Sequence, residues 1–168
     1  MPVLSIVLIL LAVGVDQGIK YFAADLLRTS GTVEIIPNFL QFTYVENRGA
    51  AFGMLQDMTI VLSVVTGLSC LVLLWILFRY RSHDFLSRAA CVLIIAGGIG
   101  NLIDRVRLGY VIDFISVSFF PPVFNFADCC VTVGVILAIL HVLLFEMHKK
   151  KEEQKIDEQT DSNPDSGE

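Results

Sequence analysis

Residues 58–78 read MTIVLSVVTGLSCLVLLWILF, a run of 21 residues without a charged side chain. A helix needs roughly 20 mostly apolar residues to cross the ~30 Å hydrocarbon core of a bilayer, and this run has that length. A helix that is apolar on every side also needs apolar surroundings on every side. The stretch therefore predicts a transmembrane helix, and with it an integral membrane protein.

Three further stretches have the same character. The first begins with an unbroken apolar run at residues 3–15, and its helical pattern can continue past Asp16 and Lys20. We expect a permanent helix here, since the run lacks the basic start and the cleavage site of a signal peptide. The predicted fold class is an α-helical integral membrane protein with four transmembrane helices, at about residues 3–27, 58–78, 85–103 and 124–145.

The composition agrees with a membrane protein. The 168 residues are 55% hydrophobic and 17% charged, whereas soluble domains are about 25% charged. The net charge of −5 argues against the basic surface of a nucleic-acid binder. We expect one membrane domain, residues 1–148, followed by a disordered acidic tail at residues 149–168, which has too few apolar residues to fold alone.

Basic residues set the predicted orientation. The short connection RYRSHD at residues 79–84 follows the second stretch, and three lysines at residues 149–151 follow the fourth. Basic residues collect on the cytoplasmic side of a membrane, so both places and both termini are expected to be cytoplasmic. The connections at about residues 28–57 and 104–123 then lie outside.

The two outer connections contain patterns typical of strands. Asn38–Glu46 alternates two sets of side chains and is rich in aromatic residues, and Ile115–Phe119 alternates apolar residues with serine. Both patterns predict extended segments, and we expect Pro121-Pro122 to end the second one. A small β-sheet platform on the extracytoplasmic side would cover the ends of the helices.

The polar residues of the predicted helices lie at one depth. With alternating helices they gather near the outer surface, while the inner halves hold almost nothing ionisable besides His141. Ionisable groups are costly inside a membrane and are functional candidates for that reason. The candidates in and beside the helices are Asp16, Lys20, Asn101, Asp104, Arg105, Asp113, Asn125 and Asp128.

Some of these candidates also have a purely structural explanation. Asp16 and Lys20 are four residues apart on one helix face, so they could form only an interfacial ion pair. Asp104 and Arg105 could simply mark the end of the third helix. Both explanations are open for these four residues at the level of sequence.

Asp113 and Asp128 are harder to explain in that way. Each stands among apolar residues without an adjacent basic residue. Two nearby carboxyl groups share a proton, so one can accept a proton from water while the other polarises a carbonyl. This is the chemistry of aspartic peptide hydrolysis. The sequence contains no HExxH or GxSxG motif, and its cysteine spacings fit no zinc pattern.

Two other classes of function fit the sequence less well. A small ion- or proton-coupled transporter needs ionisable groups through the whole thickness of the membrane, and the inner halves of the second and third helices lack them. A non-catalytic membrane scaffold has no need of two isolated acids at one depth. An assay for peptide hydrolysis distinguishes all three functions.

Five short blocks stand out along the chain. They are Asp16-Gln17-x-x-Lys20, Asn47-Arg48-Gly49-Ala50-Ala51-Phe52-Gly53, Gly97-x-x-Gly100-Asn101-x-x-Asp104-Arg105, Val111-Ile112-Asp113-Phe114 and Phe124-Asn125-x-Ala127-Asp128. Any one block is weak alone. Together with four spans and this length, they resemble the signal peptidase II family, the bacterial lipoprotein signal peptidases. The resemblance runs from about residue 12 to 146 and leaves out the acidic tail.

The resemblance implies an aspartic endopeptidase of the bacterial cytoplasmic membrane. It would remove signal peptides from prolipoproteins by cutting before a cysteine that carries diacylglyceryl, near the extracytoplasmic face. The expected partners are these substrates and membrane lipid, with no nucleic acid, no cofactor and no metal, and the expected state is a monomer. The catalytic pair would be Asp113 and Asp128, the substrate-binding residues Asn47, Gly49, Asn101, Arg105 and Asn125, and the supporting residues Asp16, Lys20, Asp104 and Ala127.

Overall fold

A computed structural model describes residues 2–49, 58–79 and 84–161 of the chain. Within these residues, four long helices accompany one small sheet of four strands. All four helices are long and apolar enough to cross a membrane, which confirms the predicted fold class. The elements in chain order are α1 (Pro2–Ser30), β1 (Val33–Ile36), β2 (Leu40–Asn47), α2 (Thr59–Arg79), α3 (Phe85–Leu108), β3 (Val111–Val117), β4 (Phe120–Phe124) and α4 (Phe126–Asp161).

The third helix is the centre of the bundle. α3 has 50% of its apolar segment buried inside the protein, against 11% for α2 and for α4. It extends beyond the predicted end to Leu108, where Gly109 takes the left-handed conformation with φ 81° and donates its N–H to the Arg105 carbonyl. The apolar core on its flank consists of Ile9, Leu77, Cys91, Val92, Ile95 and Ala96.

The strands form one antiparallel sheet in the order β1-β2-β3-β4. The predicted strand at Asn38–Glu46 is confirmed as β2, and the segment at Ile115–Phe119 belongs in part to β3, which begins earlier, at Val111. β1 was not predicted. In the register of β2 and β3, Val45 faces Asp113.

The prediction that Pro121-Pro122 ends the strand is wrong. Both prolines lie inside β4, which pairs with β3 through Ile115 and Phe124 and through Val117 and Phe120. Proline has no backbone N–H to donate to a neighbouring strand. A central strand pairs on both sides and needs these donors, whereas β4 is an edge strand and pairs on one side only. The chain therefore remains extended until Asn125.

The sheet is attached to the C-terminal end of α1 by a cluster of aromatic and basic residues. The Arg28 guanidinium lies 4.6 Å from the centre of the Tyr44 ring and donates hydrogen bonds to the hydroxyls of Tyr44 and Tyr110. Glu46 lies 3.9 Å from the Arg28 guanidinium. These contacts hold β2 and the start of β3 against the first helix.

The fourth helix continues well beyond its predicted end and into the segment predicted as disordered. α4 runs to Asp161, and Lys149 pairs with Glu153 one turn later at 3.7 Å. Lysine, glutamate and glutamine are strong helix formers, so the helix can extend into solvent without an apolar core. Residues 162–168 of the predicted tail and residues 80–83 of the predicted basic connection lie outside the described residues.

Candidate active site

Asp113 and Asp128 come together through one asparagine. Asp113 lies on β3 and Asp128 in the first turn of α4, and Asn125 stands between the strand and the helix. The Asn125 side-chain amide donates to Asp113 Oδ1 at 2.6 Å, and its backbone N–H donates to Asp128 Oδ2 at 3.1 Å. The two acids that the sequence singled out therefore share one buried neighbour.

The position of Asp128 follows from how the helix begins. Asp128 donates its backbone N–H to Asn125 Oδ1 at 3.0 Å, while its own carboxylate accepts the Asn125 N–H. This reciprocal pair has the form of a capping box, with Asn125 as the N-cap. The carboxylate is thus held by the local geometry of the helix start, close to the positive end of the helix dipole.

Each carboxylate accepts a second hydrogen bond from an asparagine on another element. Asn47, at the end of β2, donates to Asp113 Oδ2 at 2.8 Å. Asn101, on α3, donates to Asp128 Oδ1 at 2.8 Å. All four carboxylate oxygens thus have a donor, and each donor is a backbone amide or an asparagine amide. Such neutral donors hold the carboxyl groups in place without adding a net charge to the site.

Burial changes the acidity of Asp113. Its side chain is 1% exposed, and this burial, with the charge of Asp128 as the second cause, raises the pKa of Asp113 from 3.8 to about 6. The hydrogen bonds from Asn47 and Asn125 oppose the shift. A carboxyl group with a pKa near 6 can carry a proton close to neutral pH, as acid–base catalysis requires.

A cavity of about 860 Å³ adjoins the two carboxylates. Asn47, Gly49, Asn101 and Arg105 line it together with Asp113 and Asp128. The Arg105 guanidinium reaches the Gly49 carbonyl at 3.5 Å, which joins α3 to the segment after β2. Residues 50–53 of the second sequence block lie outside the described residues.

The apolar walls of this cavity were missed at the level of sequence. They come from α2, α3, α4 and the proline-containing strand β4, whose apolar side chains carry no pattern that distinguishes a cavity wall from a lipid-facing surface. Only the packing of the elements reveals them. Among the wall residues are Val65, Leu73, Ile94, Phe120, Phe124 and Val133.

A second polar cluster supports the site from behind. The Lys20 ammonium lies 3.0 Å from Asp16 Oδ2 and 2.9 Å from Asp104 Oδ2, and all three side chains are at most 3% exposed. Asp16 and Lys20 thus form a pair that is buried inside the protein and is joined by Asp104. Asp104 is likewise no mere helix end, since its carboxylate also accepts the backbone N–H of Ile112, next to Asp113.

The cluster reaches the fourth helix and includes one residue to which the sequence assigned no role. Asp16 Oδ1 accepts the backbone N–H of Ala127 at 2.9 Å, directly before Asp128. Gln17 donates to Asp104 at 3.0 Å, to the Gly100 carbonyl at 3.1 Å and to Asp16 at 3.2 Å. Its place beside Asp16 in the first sequence block was the only available signal.

Four membrane-length helices and a buried, hydrogen-bonded pair of carboxyl groups define a membrane protein with a candidate active site of the aspartic type. A protein-family model described as signal peptidase (SPase) II matches residues 8–144. The chain belongs to this family, the signal peptidases II, and is an aspartic-type peptidase by family.

Named relatives agree with this assignment. The chain is 46% identical over 134 residues to the lipoprotein signal peptidase of Caldanaerobacter subterraneus subsp. tengcongensis, covering 80% of this chain and 92% of the relative. It is 38% identical over 143 residues to the lipoprotein signal peptidase of Streptococcus pneumoniae, covering 84% and 94%. The corresponding Staphylococcus aureus protein is 35% identical over 154 residues, covering 90% and 94%.

Solved structures share the fold. A bacterial membrane enzyme structure obtained by the in meso method at 2.3 Å resolution superposes with a TM-score of 0.77 at 34% identity, covering 86% of this chain and 90% of that one. A second such structure, at 1.9 Å resolution, gives a TM-score of 0.74 at 35% identity, covering 83% and 92%. The arrangement of helices and sheet is therefore that of known membrane enzymes, and the chain is a multi-pass bacterial membrane protein.

Proposed function

We propose that this chain removes signal peptides from prolipoproteins by hydrolysing the bond before a diacylglyceryl-modified cysteine. Asp113 and Asp128 act as the catalytic pair and activate a water molecule. The observation that carries the proposal is the shared asparagine: Asn125 donates to Asp113 at 2.6 Å and to Asp128 at 3.1 Å. The relatives' name, lipoprotein signal peptidase, supplies the substrate class.

The chemistry of the pair follows from its surroundings. The negative charge of Asp128 disfavours ionisation of Asp113, so the pair holds one proton between its two carboxyl groups. The ionised member takes a proton from water as the water attacks the amide carbonyl, and the protonated member donates to the carbonyl oxygen. The raised pKa of Asp113, about 6, supports such sharing of a proton near neutral pH.

The cavity supports a substrate that approaches from within the membrane. Its lining begins at the two carboxylates and includes Leu73 on α2. Leu73 lies 14 residues after Thr59, where α2 begins, which is about 21 Å along a helix at ~1.5 Å per residue. An apolar wall of that depth suits a signal-peptide segment and the acyl chains of a lipidated cysteine.

The polar residues around the pair suit an unwound peptide. A peptide bond inside a helix is inaccessible to water, so the substrate has to extend locally near the scissile bond. Its freed backbone groups then need hydrogen-bond partners, because unpaired ones are costly at this depth. Asn47, Asn101, Arg105 and Asn125 are the groups that offer them, and all but Asn125 line the cavity.

The proposal is tested with a synthetic prolipoprotein peptide that carries a diacylglyceryl cysteine and the purified enzyme in lipid nanodiscs. We expect Asp113→Asn and Asp128→Asn each to abolish cleavage, as measured by mass spectrometry, while the melting temperature shows a folded protein. Asp25→Asn is the matched control, since Asp25 is an exposed acid on α1. Full activity in either site variant contradicts the catalytic assignment.

The substrate class and the orientation are tested separately. The same peptide without the diacylglyceryl group should remain uncleaved, and equal cleavage of both peptides contradicts the lipid requirement. A green fluorescent protein fused after residue 168 should fluoresce, since the proposed orientation keeps the C-terminus in the cytoplasm, where this reporter folds. A dark fusion that is present in the membrane contradicts that orientation.

A further inference from the structure

The buried ammonium of Lys20 contacts one neutral group in addition to the two carboxylates that balance its charge. Asp16 and Asp104 already supply two negative partners, at 3.0 and 2.9 Å. The third contact, at 2.9 Å, runs to Asn101 Oδ1. An ammonium group has three N–H donors, and here each of them has an acceptor. The third donor connects the supporting cluster to the candidate active site.

This third contact determines which way the Asn101 amide faces. An ammonium group can only donate, so the Asn101 atom that faces Lys20 has to be the oxygen. The NH₂ group of Asn101 then faces Asp128, to which it donates at 2.8 Å. The same Asn101 oxygen also accepts from the Asn125 side chain at 3.1 Å. The Lys20 ammonium and the Asp128 backbone N–H can only donate, and they therefore fix the orientation of the Asn101 and Asn125 side-chain amides.

Two donors oppose a reversal of the Asn101 amide, the Lys20 ammonium and the Asn125 NH₂ group, and without the ammonium only the neutral one is left among the described contacts. When Asp128 carries the shared proton, its hydroxyl can donate to the oxygen of a reversed Asn101 amide. With Lys20 present, that reversal would set the NH₂ group against an ammonium that has no lone pair to accept it. The reversed state is therefore excluded whether or not Asp128 is protonated.

We propose that Lys20 is a positioning residue, which acts through Asn101 to hold a hydrogen-bond donor on Asp128 throughout the catalytic cycle. This role rests on the proposed function, since it concerns the carboxyl pair that activates water. It goes beyond charge neutralisation of Asp16 and Asp104, because a purely structural cation needs no contact with Asn101. The ionised form of the pair keeps its donor at every step.

The test compares Lys20→Met with Gln17→Met. Gln17 is the matched control, since its side chain donates to Asp16, Asp104 and the Gly100 carbonyl. These three hydrogen bonds thus go to the same cluster and not to Asn101. Activity is measured on the diacylglyceryl peptide as kcat, KM and the pH dependence of kcat/KM. Arg105, the other cation facing the carboxyl pair, is unchanged in both variants.

For Lys20→Met we expect kcat to fall about tenfold or more with KM nearly unchanged, as for the loss of a hydrogen bond to a charged group. The acidic limb of the pH profile should move to higher pH, because the ionised pair has lost its fixed donor. Gln17→Met should lower the melting temperature, since it removes a donor from two buried carboxylates, and should lose less kcat than Lys20→Met with the pH profile of the unmodified enzyme. Equal losses of kcat in the two variants overturn the proposal.

Lys20→Met leaves two buried acids without their cation and can fail to fold for that reason. The double variant Lys20→Met/Asp16→Asn keeps the net charge of the cluster and still lacks the donor to Asn101. We expect this double variant to regain the melting temperature of the unmodified enzyme but not its kcat. A double variant with the kcat and pH profile of the unmodified enzyme overturns the role of Lys20. If the unmodified enzyme itself leaves the peptide uncleaved, the proposed function fails instead.

Discussion

Replacing Gly97 with alanine should separate α3 from α4 without removing any polar group. A Cβ atom at this position would lie 2.3 Å from the Ala127 carbonyl oxygen and 2.7 Å from Val131 Cγ2. The carbonyl belongs to the backbone of α4 and cannot move aside as a flexible side chain can. Ordinary contact begins near 3.4 Å, so the two helices have to move apart by about 1 Å at this point.

The magnitude of the effect follows from the neighbouring hydrogen bond. Asn101 lies one turn after Gly97, Asp128 directly follows Ala127, and their side chains are joined at 2.8 Å. A separation of about 1 Å breaks this bond, and a misplacement of that size can lower a rate about 100-fold. Overpacking itself costs about 1–3 kcal/mol of folding free energy. We therefore expect a lower melting temperature and a larger loss of kcat.

The assay measures thermal unfolding in detergent and cleavage of the diacylglyceryl peptide side by side. Gly14→Ala is the control, because a Cβ atom at Gly14 meets nothing within 4 Å. The control should retain full activity and gain up to about 1 kcal/mol from the helix propensity of alanine. A Gly97→Ala enzyme with unchanged melting temperature and kcat would refute the close packing of α3 on α4.

Two further predictions concern the carboxyl pair itself. Asn125→Leu removes the donor to Asp113 and the cap of Asp128, so cleavage should fall at least about 100-fold, and an active variant contradicts the central role of this asparagine. The raised pKa of Asp113, about 6 against 3.8, means that the folded state binds this proton more tightly than the unfolded state. The associated stability is present below about pH 4 and is lost as the pH rises through about 6, by about 3 kcal/mol at most. Asp113→Asn should abolish this contribution in melting curves between pH 4 and 7, and an unchanged pH dependence contradicts it.

Hydropathy predicted the helices because it is a local property. Each stretch, such as residues 58–78, meets the length requirement of the bilayer by itself, whatever the rest of the chain does. The predictions were wrong at the ends of strands and helices. The prolines at 121 and 122 entered an edge strand, and α4 began two residues later than predicted, with Asn125 as its cap. Pairing of strands and capping of helices decide such ends, and hydropathy does not measure them.

The sequence by itself determined four membrane helices, the candidate pair of acids and, through its blocks, the family. Only the tertiary structure decided how these residues connect. Asp16 and Ala127 are 111 positions apart and share a hydrogen bond, and the direction of the Asn101 amide depends on an ammonium 81 residues away. A spacing along the chain predicts contacts within one helix. Contacts between helices depend on close packing at residues such as Gly97, and only the folded arrangement of backbones brings their donors and acceptors within reach.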